Sequence, residues 1–203
     1  MAQANTAQRA PEENAKFLAR WREKLRAPGR GLPPADYSYI KLEDVCDERA
    51  TPLLSRLREL GASPPTCVYF GDITGAEANI SLGRLFLRGG ALGRHIVESF
   101  TDDELDQVID DRLEVPVFDD EGRRYDFRCG YLDYSGAAGA YQLVGAGDDY
   151  KLLMKNNSMV RGVSQVGKGV SLLVFAFRSE LLVQESHAAS GALCMLMLFF
   201  AVL

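Results

Sequence analysis

The chain's most informative stretch is Leu113–Phe127, LEVPVFDDEGRRYDF. Apolar Leu113, Val115 and Val117 alternate with other positions, and a second alternating run holds Tyr125, Phe127 and Cys129. Asp119-Asp120-Glu121-Gly122 lies between them, an acid- and glycine-containing turn suited to a tight reversal. Alternation puts one face of each run on a core and the other in water, so the pattern predicts a β-hairpin. A lone hairpin is only marginally stable in water, so a strand-rich unit should surround it. Further strand candidates are TCVYF (66–70), RLFL (84–87), AYQLV (140–144) and VSLLVFAF (170–177), with the hairpin itself as LEVPVF (113–118) and RRYDFRCGY (123–131).

Helical spacing is confined to short pieces. Phe17, Leu18, Trp21 and Leu25 recur at three- and four-residue steps and predict an amphipathic helix with a basic outer face over 12–26. RAPGRGLPPADYS then reads as a linker. A second helix is expected from Thr51, with Pro52 in its first turn, a stripe of Leu53, Leu54, Leu57 and Leu60, and Gly61 at its end. DDELDQVI (102–109), capped by Thr101, and DDYKLLMKNN (148–157), with acids at its dipole-favoured start, are two more. Six short strands with two short helices and no regular βα alternation predict a mainly β fold, a mixed-topology barrel or open sheet. Residues 1–65 read as an N-terminal extension and 66–186 as the main domain. Residues 187–203 read as an apolar C-terminal tail. Its run GALCMLMLFFAVL (191–203) is shorter than the roughly 20 residues a spanning helix needs, so a membrane partner is not expected.

Charge narrows the partners. The net charge is −5, but the first 65 residues hold 11 Lys/Arg against 9 Asp/Glu, leaving 12 against 19 for the rest. An acidic body is a poor start for a polyanion partner. Cys46, Cys67, Cys129 and Cys194 are scattered, and only His95 and His187 could join them, so no metal site is expected. Reduced, mostly buried thiols fit an intracellular setting.

Chemical motifs are thin. GVSQVGKG (162–169) follows a phosphate-loop pattern for seven positions, but Gly169 replaces the Ser or Thr and a strand follows instead of a helix. Gly145-Ala146-Gly147 starts a dinucleotide-like glycine run whose third position is Tyr150. The turn acids Asp119, Asp120 and Glu121, and His95 with Ser99, make no catalytic constellation. Neither an enzyme nor a cofactor is expected.

In order, residues 66–178 resemble the plant-specific B3 DNA-binding domain. The motifs carrying the resemblance are Ile73-Thr74 and Gly75–Ser81 followed by Arg84-Leu85-Phe86-Leu87; the central hairpin, with Tyr125 where Trp is usual; Tyr141-Gln142-Leu143; Tyr150 and Leu153 on a helix; Met159; and the closing Phe175-Ala176-Phe177-Arg178. The chain departs from the pattern at Arg88-Gly89, where Pro-Lys is usual, at the displaced Gly-Asp pair, and at Asp148-Asp149 before Tyr150. The resemblance implies a seven-stranded open β-pseudobarrel with two short helices. It also implies sequence-specific binding of double-stranded DNA by a nuclear transcription regulator, through two loop arms in the major groove. On this sequence the first arm offers Thr74, Asn79, Ser81 and Arg84. The second offers Arg128, Tyr131, Asp133, Tyr134 and Ser135, with Lys168 as a further cation. Arginine and hydroxyls suit phosphates, and Asn suits an adenine edge. So few cations imply weak binding with a shallow salt dependence. Tyr125, Phe127, Tyr141, Tyr150, Leu153 and Phe175 are expected in the core. The alternative is a barrel of the same kind with little DNA affinity, acting as a protein-interaction module that docks partners through Phe17, Leu18, Trp21 and Leu25.

Overall fold

The structure, a computed structural model, describes residues 35–46, 51–73, 81–88, 94–132, 140–156, 170–182 and 192–201. The expected helix over 12–26 and the glycine-rich 162–169 lie outside them.

The strands follow the alternation. They are β1 (Thr66–Ile73), β2 (Arg84–Arg88), β3 (Leu113–Phe118), β4 (Arg124–Leu132), β5 (Ala140–Gly145), β6 (Val170–Ser179) and β7 (Ala192–Ala201). They form one mixed seven-stranded sheet in the order β1-β6-β7-β3-β4-β5-β2, antiparallel throughout except where β3 runs parallel to β7. The predicted hairpin is β3–β4, with Val115 opposite Phe127 and Val117 opposite Tyr125. Its turn is held by the buried Asp119 carboxylate. That group accepts from the backbone N–H of Glu121 and Arg123, from Arg123 Nε at 2.7 Å and from the Tyr125 hydroxyl at 2.9 Å. These partners replace the water a turn carboxylate would otherwise keep.

β7 is the apolar C-terminal run. It pairs with β6 over its whole length, from Ala192 opposite Ser179 to Ala201 opposite Val170, and its middle adjoins β3. Among its described side chains Leu193 and Met195 enter one core and Cys194 the other, so both faces of this part of β7 are covered, which fits an unbroken apolar run.

The helices are α1 (Leu42–Val45), α2 (Thr51–Glu59), α3 (Asp102–Ile109) and α4 (Asp149–Asn156), with a 3₁₀ turn at Arg94–Ser99 before α3. Thr101 caps α3 in a full capping box: its side chain accepts from the Glu104 N–H, and the Glu104 carboxylate accepts from the Thr101 N–H at 2.7 Å. The same carboxylate forms a bidentate pair with Arg178 of β6, whose guanidinium also donates to the Ser99 carbonyl at 2.8 Å. One buried acid thus fastens α3, the 3₁₀ turn and β6.

Two cores lie on opposite faces of the sheet. The larger takes side chains from all seven strands, among them Val68, Leu85, Val115, Phe127, Tyr141, Leu172 and Met195, and is closed by Leu105, Val108, Tyr150 and Leu153 from α3 and α4. A bulge between Cys67 and Tyr69 lets the successive residues Val68 and Tyr69 both enter it. The second core seats Leu42, Leu53, Leu57 and Leu60 against Cys67, Phe118, Leu173, Phe175, Phe177 and Cys194. Residues on both sides of Pro64-Pro65 share it. All six residues expected in the core are buried, Phe175 on this second face.

Candidate nucleic-acid interface

On the strands, the second core covers its face from β1 through β6 and β7 to Phe118 at the end of β3. Across β2, β5 and β4 the same face carries Arg84, Gln142 and Arg128 among apolar Phe86 and Val144, and strand register sets their arrangement. Arg84 of β2 lies opposite Val144 of β5, Val144 lies opposite Arg128 of β4, and Arg128 lies opposite Glu114 of β3. Directly opposed residues share a face, so the two arginines stand in one row, two strand spacings or about 10 Å apart. Arg128 is exposed, and among the described residues it has no hydrogen-bond or ion-pair partner.

The row stands at the root of the first predicted arm, with the root of the second at the other end of β2. The first arm leaves β1 after Ile73 and returns at Ser81, just before Arg84. The second leaves β4 at Leu132 and returns at Ala140, which pairs with both Leu132 and Arg88. The five residues of β2 therefore run from one root to the other, roughly 13 Å.

Of the other expected site residues, Ser81 is exposed at the first root. Tyr131 turns the other way: it packs against the larger core, its ring edge-on to Tyr141 at 5.2 Å. Alternation along β4 dictates this, because Tyr131 shares the parity of Tyr125, Phe127 and Cys129. Thr74, Asn79, Asp133, Tyr134, Ser135 and Lys168 lie outside the described residues.

Two residues that sequence reading passed over complete the face. Gln142 is buried between Arg84 and Asp111: its side-chain carbonyl accepts from Arg84 Nη1 at 3.2 Å, and its amide donates to Asp111 Oδ1 at 3.0 Å. Asp111 reaches over Gly130 of β4, where a Cβ would fall 1.5 Å from its Oδ1. The available signal was Gly130 itself, since a glycine inside a strand marks a close approach.

The electrostatics are mixed. Arg124 pairs with Asp126 at 2.9 Å, partly solvated, and Arg112 with Asp110 at 2.6 Å, largely solvated. Chemically, this face can present two guanidinium groups to an anion.

The remaining titratable groups have local roles. The Ser99 hydroxyl donates to the His95 carbonyl at 2.9 Å, and the His95 imidazole faces Glu98. Both line a cleft of about 230 Å³ with Ser63 and Arg178. Among the described residues no group of three or more His, Cys, Asp or Glu is placed to hold a metal, and no helix is long and apolar enough to cross a membrane. Burial pushes the Cys67 thiol up to about 11 and the Cys194 thiol up to about 12, and raises Cys129 further. No protein-family model, curated protein or solved structure matches this chain.

Proposed function

We propose that the chain is a B3-like open pseudobarrel that binds duplex DNA in the nucleus as a transcription regulator, gripping the major groove with the loops after β1 and β4. The observation that carries this reading is the Arg84–Val144–Arg128 row at the root of the first loop, with the exposed Arg128 one β2 length from the root of the second. Two further features support it. Within 66–178 six strands and the two short helices α3 and α4 come in the order of the motifs that carry the resemblance, and β7 beyond them brings the strand number to seven. The edge strands β1 and β2 approach each other and both feed the larger core, as a sheet curled toward closure would have them do.

Guanidinium groups are apt for phosphates because their planar forks donate two hydrogen bonds at once. Two such groups about 10 Å apart can engage phosphates of one backbone, leaving base reading to the arms. Binding of the full-length chain to a randomised duplex pool tests the proposal. Enrichment of a sequence motif, weakened by Arg84→Ala, is the expected result. A folded chain that retains no duplex at low salt would refute it.

A second reading, a protein-interaction module with little DNA affinity, is favoured by one specific observation. Asp126 and Asp110 already neutralise Arg124 and Arg112, and Glu114 stands opposite Arg128. The same experiment separates the two.

A further inference from the structure

Resting on the nucleic-acid reading, we infer that Asp111 and Gln142 are positioning residues that fix the direction in which Arg84 presents its guanidinium. Asp111 follows the last turn of α3, where the Arg112 N–H returns to the Gln107 carbonyl at 2.8 Å and the Asp111 N–H to the Val108 carbonyl at 3.2 Å. A helix ending this way places its next residue in the left-handed region, where glycine is the ordinary choice. Asp111 has a φ of 56°, the only positive φ of a non-glycine residue among those described. Conversely, Gly130 occupies a strand position that ordinarily carries a side chain, and it leaves open the space that the Asp111 carboxylate fills. Glycine is thus absent where the backbone favours it and present where the backbone does not. Both departures serve one contact, that of Asp111 with Gln142.

That contact acts on Arg84. A buried amide could turn either end toward the arginine. Donation from Nε2 to Asp111 sets the carbonyl end toward Arg84 Nη1, where it accepts a hydrogen bond. A guanidinium carries five N–H donors, and this bond engages one, so the rest of the fork is held in place for an anion. Holding a long side chain before the ligand arrives removes ordering cost from binding. The chain from Asp111 through Gln142 to Arg84 involves no direct contact between Asp111 and a ligand.

The test compares Asp111→Asn with Asp111→Gly in the full chain, each with and without Arg84→Ala. Both replacements suit a left-handed backbone and both remove the charge, but only Asn keeps an acceptor for the Gln142 amide. The probe is the randomised duplex pool, and the second readout is the NMR order parameter of the Arg84 Nε–H bond. Asp111→Asn should bind as tightly as the parent or more so, having lost a negative charge. Asp111→Gly should bind roughly three- to tenfold more weakly than Asp111→Asn, the loss expected for one orienting hydrogen bond. Its melting temperature should not fall in parallel, because the backbone strain is relieved. The gap should vanish in the Arg84→Ala background, and the Arg84 order parameter should drop in Asp111→Gly alone. Equal binding by the two variants, or a gap that persists without Arg84, would overturn the positioning role. If no variant binds duplex while the order parameter still drops in Asp111→Gly, the positioning stands and the nucleic-acid reading fails.

Discussion

Substituting Met195 with alanine should destabilise the whole fold, although residue 195 lies in an apolar run close to the chain's end. In β7 Met195 has no exposed surface and belongs to the larger core, opposite Val117 of β3 and Ala176 of β6. Truncating a fully buried side chain of this size costs about 2–5 kcal/mol, the transfer loss plus the cavity left behind. For a domain of roughly 200 residues each kcal/mol moves the melting temperature by about 2–4 °C, so a drop of about 4–20 °C is expected. Leu193→Ala, on the same face and almost as buried, should behave alike. Leu181→Ala supplies the control, because Leu181 is 65% exposed and its loss should stay within about 0.5 kcal/mol. Thermal and urea denaturation of the three variants, followed by circular dichroism, decides the matter. If Met195→Ala melts with the Leu181→Ala control, β7 is not an interior strand and the sheet order is wrong.

Three other outcomes follow from the same packing. Glu104→Ala should cost about 3–5 kcal/mol in a denaturant titration, because it leaves the Arg178 guanidinium without its carboxylate and opens the α3 capping box; a shift under 1 kcal/mol would show that the pair is not formed. In the native state a thiol reagent should modify half-buried Cys46 first and leave Cys67, Cys129 and Cys194 until the chain unfolds, since burial raises all three thiols; early labelling of Cys194 would contradict β7. Partial desolvation, with the Asp119 carboxylate beside it, raises the Asp120 pKa in the folded state. The native state therefore holds that proton more tightly, and its contribution is present at low pH and lost as pH rises through the folded pKa. Asp120→Asn should raise the melting temperature at pH 7 and lose that advantage below pH 4, whereas an equal gain at both would remove the electrostatic explanation.

Most of the sheet was legible because half-buried strands alternate, and the hairpin's two runs show that alternation on either side of a turn. The helix from Thr51 was legible from Pro52, its leucine stripe and Gly61. β7 was not, for a physical reason: with both faces covered it has no period, and thirteen apolar residues fit a buried strand, a helix or an anchor equally well. α1, at four residues, is too short to show a period. The arms' positions could be placed along the chain, but the row joining Arg84 to Arg128 could not. It depends on β5 lying between β2 and β4, and the register of non-consecutive strands is not written in local sequence. The packing of Tyr131 against Tyr141 was legible in principle, since it shares the parity of Tyr125, Phe127 and Cys129 along β4.

Among the described residues Arg84 and Arg128 stand in one row, and that placement is what supports the nucleic-acid proposal for an acidic chain.

The most direct measurement is a salt titration of duplex binding by the full chain, which must retain β7, beside an Arg84→Ala/Arg128→Ala variant. The account predicts that log K falls linearly with log salt, and that the variant loses about two units of slope as two phosphate contacts disappear. A slope unchanged in a folded double variant would contradict it.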